Sequence, residues 1–236
     1  MRAAPAAAAL WLAWANAWGA VDAAPASAPR MEFTPLPPGS YRLAAIQAVT
    51  DARLLDEQGR AVRLRALTRG KITLLTFFYS YCVDPLGCPF ARETLRAMRT
   101  RLLADPPLAA AVRFLGISCD PDHDTPPVIA AYAREVAGRA PFEWRFATAG
   151  SVATLLPVLD DLGQDVSVDV DASGRPSRAR HHMLKVFLVD ARGTVREIYS
   201  LAYLQPEVML NDIRTLYLEA HPRGASLALS GAQRPE

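Results

Sequence analysis

Cys82 and Cys88 lie close together at the end of an apolar run, ITLLTFFYSYCVDPLGCPF over residues 72–90, with five residues between them. Cys88 is followed by Pro89 and then by a pattern in which Ala91, Leu95, Met98 and Leu102 recur on one helical face. Proline is favoured at the first helical position, which puts Cys88 at or near the helix N-cap. A thiol there meets exposed backbone N–H groups and the positive end of the helix, and both favour thiolate. Two thiols in a strand–loop–helix turn, one of them easily ionised, suit redox chemistry or a soft metal. A plain structural disulfide is the alternative. It would add little constraint, because the loop is already tethered by a strand on one side and a helix on the other.

The elements around this loop follow from the pattern. Six of the eight residues from Ile72 to Tyr79 are apolar or aromatic and the other two are threonine, as in a strand buried on both faces. Before it, Tyr41–Thr50 reads as a short strand, and Ala52–Leu55 and Ala61–Leu64 flank a turn at Gly59 as a hairpin. After the cysteine helix, Asp105-Pro106-Pro107 ends the helical run. Val112–Ser118 is a second buried strand, ending in a third cysteine, Cys119, which reads as a small buried hydrophobe or as a resolving thiol. Asp124 or Thr125 caps a helix with Pro126 and Pro127 in its first turn. That helix runs to Gly138. Pro141–Phe146 reads as a third strand, and Ser151 opens a helix to Leu162 that contains Pro157. Residues 164–180 are polar and turn-rich; Asp169–Gly174 begins like a calcium loop, but Arg180 stands where the bidentate glutamate belongs, so a solvated loop is the better reading. Met183–Val189 and Val195–Ser200 form a hairpin, and Pro206 opens an amphipathic helix with Val208, Ile213, Leu216 and Tyr217 inward. Strands alternating with helices, then a hairpin and a last helix, predict an α/β thioredoxin-like fold: a central mixed sheet flanked by helices, with an N-terminal hairpin.

The 236 residues suffice for one domain of ordinary size plus extensions. A formal net charge of +2 with no long basic run argues against nucleic acid as a partner. Three cysteines are too few for a disulfide scaffold. Residues 1–26 read as a signal peptide, with small-residue cleavage patterns at Ala15-Asn16-Ala17 and Ala24-Pro25-Ala26, or as an uncleaved membrane anchor. Residues 27–40, rich in alanine and proline, are expected to be a linker, residues 41–220 the folded domain and residues 221–236 a flexible tail. The expected location is the periplasm, soluble or anchored at the face of the inner membrane.

In this order of elements the chain resembles the SCO/SenC family of copper-handling proteins. LLDEQGRAVRL followed by GKITLLTFFYSYC resembles the family's opening hairpin and first long strand. Cys88-Pro89 resembles its second loop cysteine, ISCDPDHDTP its strand-end motif, and Trp144 with Thr148-Ala149-Gly150 a further segment. His182, just ahead of Phe187-Leu188-Val189, resembles its lone histidine. The resemblance covers about residues 45–218. It implies a copper site made by Cys82, Cys88 and His182, one copper per chain, as Cu(I) or Cu(II). It also implies delivery of copper to a respiratory acceptor such as cytochrome c oxidase, or maintenance of the acceptor's thiols: a metallochaperone rather than an enzyme. The family normally has three residues between its cysteines, against five here, and an aliphatic residue where Cys119 stands. His181 is expected to point away from the site and His123 to be surface. Asp120, Asp124 and Thr125 read as structural.

The alternative is a periplasmic thiol–disulfide oxidoreductase using Cys82 and Cys88 as catalytic thiols without a metal. The thioredoxin family proper has two residues between its cysteines and a proline before the strand facing them; here that strand follows His-His-Met-Leu. A peroxiredoxin has threonine three residues before its reactive cysteine, where Tyr79 and Pro85 stand here.

Overall fold

The computed structural model of the protein describes residues 31–177 and 180–222. The expected export segment, the start of the linker and nearly all of the tail lie outside the described residues. The chain runs β1 (Gln47–Ala48), β2 (Arg53–Asp56), β3 (Ala61–Arg63), α1 (Leu64–Thr68), β4 (Ile72–Phe78), α2 (Cys88–Leu103), α3 (Pro106–Ala111) and β5 (Val112–Ser118). It continues through α4 (Pro126–Ala137), β6 (Trp144–Thr148), α5 (Val152–Asp161), β7 (Val166–Ser167), β8 (His181–His182), β9 (Lys185–Val189), β10 (Thr194–Ser200) and α6 (Pro206–Ala220).

Among the described residues, eight strands form one mixed sheet in the order β1-β10-β9-β4-β5-β6-β2-β3, and β7 and β8 form a separate two-stranded ribbon. β4, β5 and β6 are parallel, and β9 is antiparallel to β4. Every residue of β4 and of β5 is buried, as their unbroken apolar runs predict. Alternate side chains divide the core. Ile72, Leu74 and Phe78 pack under α2, α3, α4 and α6 with Met98, Ile129 and Ile213. Leu75 and Phe77 face α1 and α5 with Leu64, Leu155 and Val158. Gly116 in β5 makes room for two rings: a Cβ there would lie 2.9 Å from Phe146 Cδ1 and 3.2 Å from Phe78 Cδ1.

The α/β thioredoxin-like architecture is as the sequence predicts, with local differences. The first strand is only Gln47–Ala48. The sixth begins at Trp144, where it comes into register with Phe114, rather than at Pro141. Asp105-Pro106-Pro107 ends α2 and also starts α3, because Asp105 accepts a hydrogen bond from Leu108 N–H as an N-cap and proline suits the first turn. Pro157 lies inside α5 without ending it. In α6 the buried residues are Met209, Leu210, Asp212, Ile213, Thr215 and Leu216; Val208 and Tyr217 sit at the margin of the core. His181 and His182 do not begin the strand that follows. They form β8, paired with Val166–Ser167 on the ribbon outside the sheet.

Candidate functional site

Because β4, β5 and β6 are parallel, their carboxyl ends share one edge of the sheet, the usual place for a site in such folds. β9 runs against β4, so its beginning, and the ribbon before it, reach the same edge. Three segments meet there: the loop 79–87 after β4, the segment from Cys119 to Thr125 after β5, and the ribbon that carries His182.

The cysteine loop folds back on itself. Cys82 N–H donates to the Tyr79 carbonyl at 3.2 Å, and Asp84 accepts from Leu86 N–H through its carboxylate and from Gly87 N–H through its carbonyl, both at 3.0 Å. These turns take up the five intervening residues and bring the two sulfur atoms within hydrogen-bonding reach of each other. All three cysteines are free; Cys82 is half-buried, and Cys88 and Cys119 are buried.

The ionisable thiol is Cys82, not Cys88, which corrects the expectation from the helix terminus. Gly87 is the N-cap and Cys88 the first helical residue, facing the core rather than solvent. Its thiol donates to Cys82, and that bond, followed by burial, pushes the Cys88 pKa far above the ordinary thiol range. Cys82 is pulled down to about 5: the Cys88 thiol contributes most, burial opposes it, and the Tyr79 hydroxyl and the backbone N–H groups of Cys88 and Asp84 add to the fall. The N-terminus of α2 thus stabilises a thiolate, but one that reaches it from the loop. Cys119 hydrogen-bonds through its N–H to the Phe78 carbonyl at 2.8 Å. Burial first, then the charges of Asp124 and Asp120, push its thiol up to about 12. It packs as a small core residue.

His182 stands beside Tyr79 with ring centroids 6.0 Å apart and planes at 71°. Burial lowers its pKa, opposed in part by the Met183 backbone and by the charges of Cys82 and Asp84, so the imidazole is neutral near pH 7. Its Nδ1 is buried without a hydrogen-bond partner. His181 points outward to Asp169, 2.7 Å from Nε2 to the carboxylate, and His123 is exposed against the Tyr81 ring.

Two tyrosines and an arginine complete the edge, and sequence reasoning missed all three roles. The Tyr79 and Tyr81 rings meet edge to face, with centroids 4.9 Å apart. The Tyr81 hydroxyl donates to Asp120 Oδ2, and Arg180 Nη2 meets the same oxygen at 3.0 Å. Burial raises the Asp120 carboxyl, but the donors Tyr81 and Arg180 outweigh it and hold the group below the usual carboxylate range. The available signal was the pair of tyrosines, Tyr79 and Tyr81, just ahead of Cys82 in the loop. Asp124 closes the edge as a structural residue: it accepts from Ser80 N–H at 3.0 Å, from the Ser80 hydroxyl, and from the Ser118 hydroxyl at 2.6 Å. Thr125 is the N-cap of α4, but its side chain makes no capping bond.

Among the described residues, no three His, Cys, Asp or Glu side chains are grouped so as to hold a metal ion. The thiol pair and His182 share Tyr79 and one sheet edge without closing on a common point. Their chemistry still fits a soft cation: an anionic thiolate, a thiol hydrogen-bonded to it, and a neutral imidazole with an unsatisfied ring nitrogen.

The model of the SCO1/SenC family matches residues 44–218. No curated protein matches the sequence significantly. Among solved structures, the chain is similar to apo Sco1 from Thermus thermophilus, at 24% identity and a TM-score of 0.61 over 75% of this chain and 95% of that one. It is similar to Arabidopsis thaliana ScoI with copper bound, at 17% identity and a TM-score of 0.60 over 73% and 99% of the respective chains. BsSco, a member of the Sco family of cytochrome c oxidase assembly proteins in which a disulfide switch was identified, is 19% identical, with a TM-score of 0.56 over 75% of this chain and 98% of its own. At these identities the likeness is one of fold.

Proposed function

The chain belongs to the SCO1/SenC family, and from that premise we propose that it binds copper through Cys82, Cys88 and His182 and passes it to a respiratory acceptor of the cytochrome c oxidase type. One observation carries the reading: a half-exposed thiolate, its partner thiol and an imidazole nitrogen with no other bond lie at the same edge of the sheet. Thiolate favours Cu(I) and imidazole tolerates Cu(II), so this donor set serves either oxidation state. The copper-bound Arabidopsis relative and the assembly role of BsSco support the cargo and the acceptor class. Cys82 is already deprotonated near pH 7 and offers a ligand without first losing a proton. Cys88 is buried and Cys82 and His182 are half-buried, so Cys88 would hold the ion while Cys82, the more accessible of the two thiols, exchanges with an incoming ligand.

We place the working protein in the periplasm, exported by residues 1–26, with residues 41–220 as the functional domain. Among the described residues no helix is long and apolar enough to cross a membrane. The test is metal loading of the His182→Ala protein. Weakened Cu(II) binding beside an unchanged thiol titre supports the reading; full Cu(II) binding in that variant overturns the ligand set.

A second reading is favoured by the same thiol pair. A low-pKa, half-exposed Cys82 beside a buried, protonated Cys88 has the arrangement of an attacking and a resolving thiol. In that reading the Cys82 thiolate attacks a disulfide of the acceptor and expels one of its sulfurs as thiolate. Cys88 then loses its proton and attacks the Cys82 sulfur of the mixed disulfide, expelling the acceptor's second sulfur as thiolate and leaving a Cys82–Cys88 disulfide and a reduced acceptor. Exchange with a disulfide substrate that survives in His182→Ala but not in Cys82→Ser separates this activity from copper handling.

A further inference from the structure

The two halves of the candidate site hang on different parts of the chain. Cys82 and Cys88 belong to the loop between β4 and α2, whereas His182 rides on the β7–β8 ribbon, which pairs with no strand of the main sheet. The ribbon therefore needs its own attachment if His182 is to face the thiols. Gln164 Nε2 donates to the Met183 carbonyl at 3.0 Å, tying the two ends of the ribbon to each other. The attachment to the body near the site is made by Arg180, two residues before His182. Its guanidinium reaches Asp120, a residue 2% exposed at the end of β5, and its backbone N–H bonds the Tyr79 hydroxyl.

The oxygen that receives Arg180 is the same Asp120 Oδ2 that receives the hydroxyl of Tyr81, the residue immediately before Cys82. One buried carboxylate oxygen thus holds the cysteine loop by one donor and the histidine ribbon by the other. The pair is shielded, with the Arg180 side chain 18% exposed and that of Asp120 2%, so it is screened far less than a surface ion pair. We propose that Tyr81–Asp120–Arg180 is a latch that fixes the separation of His182 from Cys82, with Asp120 and Arg180 as positioning residues for the metal site. The inference rests on the reading of Cys82, Cys88 and His182 as ligands. It adds what holds them in register: partners behind metal ligands typically change metal affinity about 10- to 100-fold when removed.

Arg180 Nη2 meets Asp120 Oδ2 at 3.0 Å, a charged contact that a lysine ammonium can also make while methionine, of similar length, cannot. The test compares wild type, Arg180→Met and Arg180→Lys by two readouts. In metal-free, reduced protein, a nuclear Overhauser effect between the Tyr79 and His182 rings reports whether the ribbon is in place. With Cu(II) alone as probe, affinity and nitrogen hyperfine coupling report whether His182 ligates. The latch predicts that Arg180→Met loses the ring contact, weakens Cu(II) binding about 10- to 100-fold and loses the nitrogen coupling, while Arg180→Lys keeps all three. A lower melting point for Arg180→Met with ring contact, affinity and coupling intact would overturn it, leaving the ion pair a stabilising contact only. Should wild type bind no Cu(II), the ligand reading fails, and the ring contact alone decides the latch by the same comparison. If Arg180→Met does not fold, Tyr81→Phe tests the latch from the loop side: the predicted loss of the ring contact supports it, and its retention refutes it.

Discussion

Replacing Cys88 with alanine removes the strongest donor to the Cys82 thiolate. In the reduced protein Cys82 is held at about 5 by the Cys88 thiol first, against burial, and then by Tyr79 and the N–H groups of Cys88 and Asp84. A hydrogen bond to a charged group contributes about 1.5–3 kcal/mol. Cys82 is half-buried, so solvent screening keeps its lost bond near the low end of that range. At about 1.4 kcal/mol per tenfold change, the midpoint for thiolate formation should move up by about one pH unit in Cys88→Ala, to near 6. Cys88→Ser keeps a donor at the same place and should stay close to wild type. The assay is the pH dependence of iodoacetamide alkylation at Cys82, followed by peptide mass spectrometry on reduced, metal-free protein. Cys88 and Cys119 are buried and held protonated, so they react slowly and are counted apart. A wild-type midpoint near that of an ordinary thiol, about 8.5, would refute the reasoning, as would equal midpoints in wild type and Cys88→Ala.

The same thiolate makes stability depend on pH. A group whose folded pKa is depressed adds stability above its unfolded pKa and loses it as pH falls through the folded value, so reduced protein should gain stability between about pH 5 and pH 9; Cys82→Ala should flatten that rise in urea unfolding curves. Gly116→Ala forces a Cβ to 2.9 Å from Phe146 Cδ1 and should cost about 1–3 kcal/mol, read as a lower melting temperature. Asp124→Ala strands the buried Ser118 hydroxyl and frees the partly buried Ser80 donors, and should cost about 1–3 kcal/mol for the buried one left unsatisfied, measured by chemical denaturation.

The fold was legible where the sequence carries period and punctuation. The run from Ile72 is a strand that ends at Phe78, one residue before Tyr79, Val112–Ser118 is a strand at its expected bounds, Ala91, Leu95, Met98 and Leu102 are buried along one face of α2, and Gly59 and Gly138 adopt positive φ at a hairpin turn and a helix end. Less legible were features that depend on distant partners. The two-residue ribbon strands have no pattern of their own; β8 exists because Val166 and Ser167 lie opposite it. The identities of the candidate thiols and histidine were visible in the sequence, and the structure puts them at one edge. Which thiol ionises was not visible, because the helix terminus was read as acting on its own residue. In three dimensions Cys88 turns into the core, and the loop carries Cys82 back to the same N–H groups. The charged contacts of Asp120 were also out of reach, since Arg180 and Tyr81 are distant from each other in sequence and meet only through the fold.

The account turns on whether these donors take up copper. The deciding measurement is the copper stoichiometry of the purified, reduced protein, for Cu(I) and Cu(II), beside Cys82→Ala, Cys88→Ala and His182→Ala. The account predicts one tightly held copper per chain in the wild type and its loss in each variant. A wild type with its thiols free and reduced that holds no tight copper would contradict it.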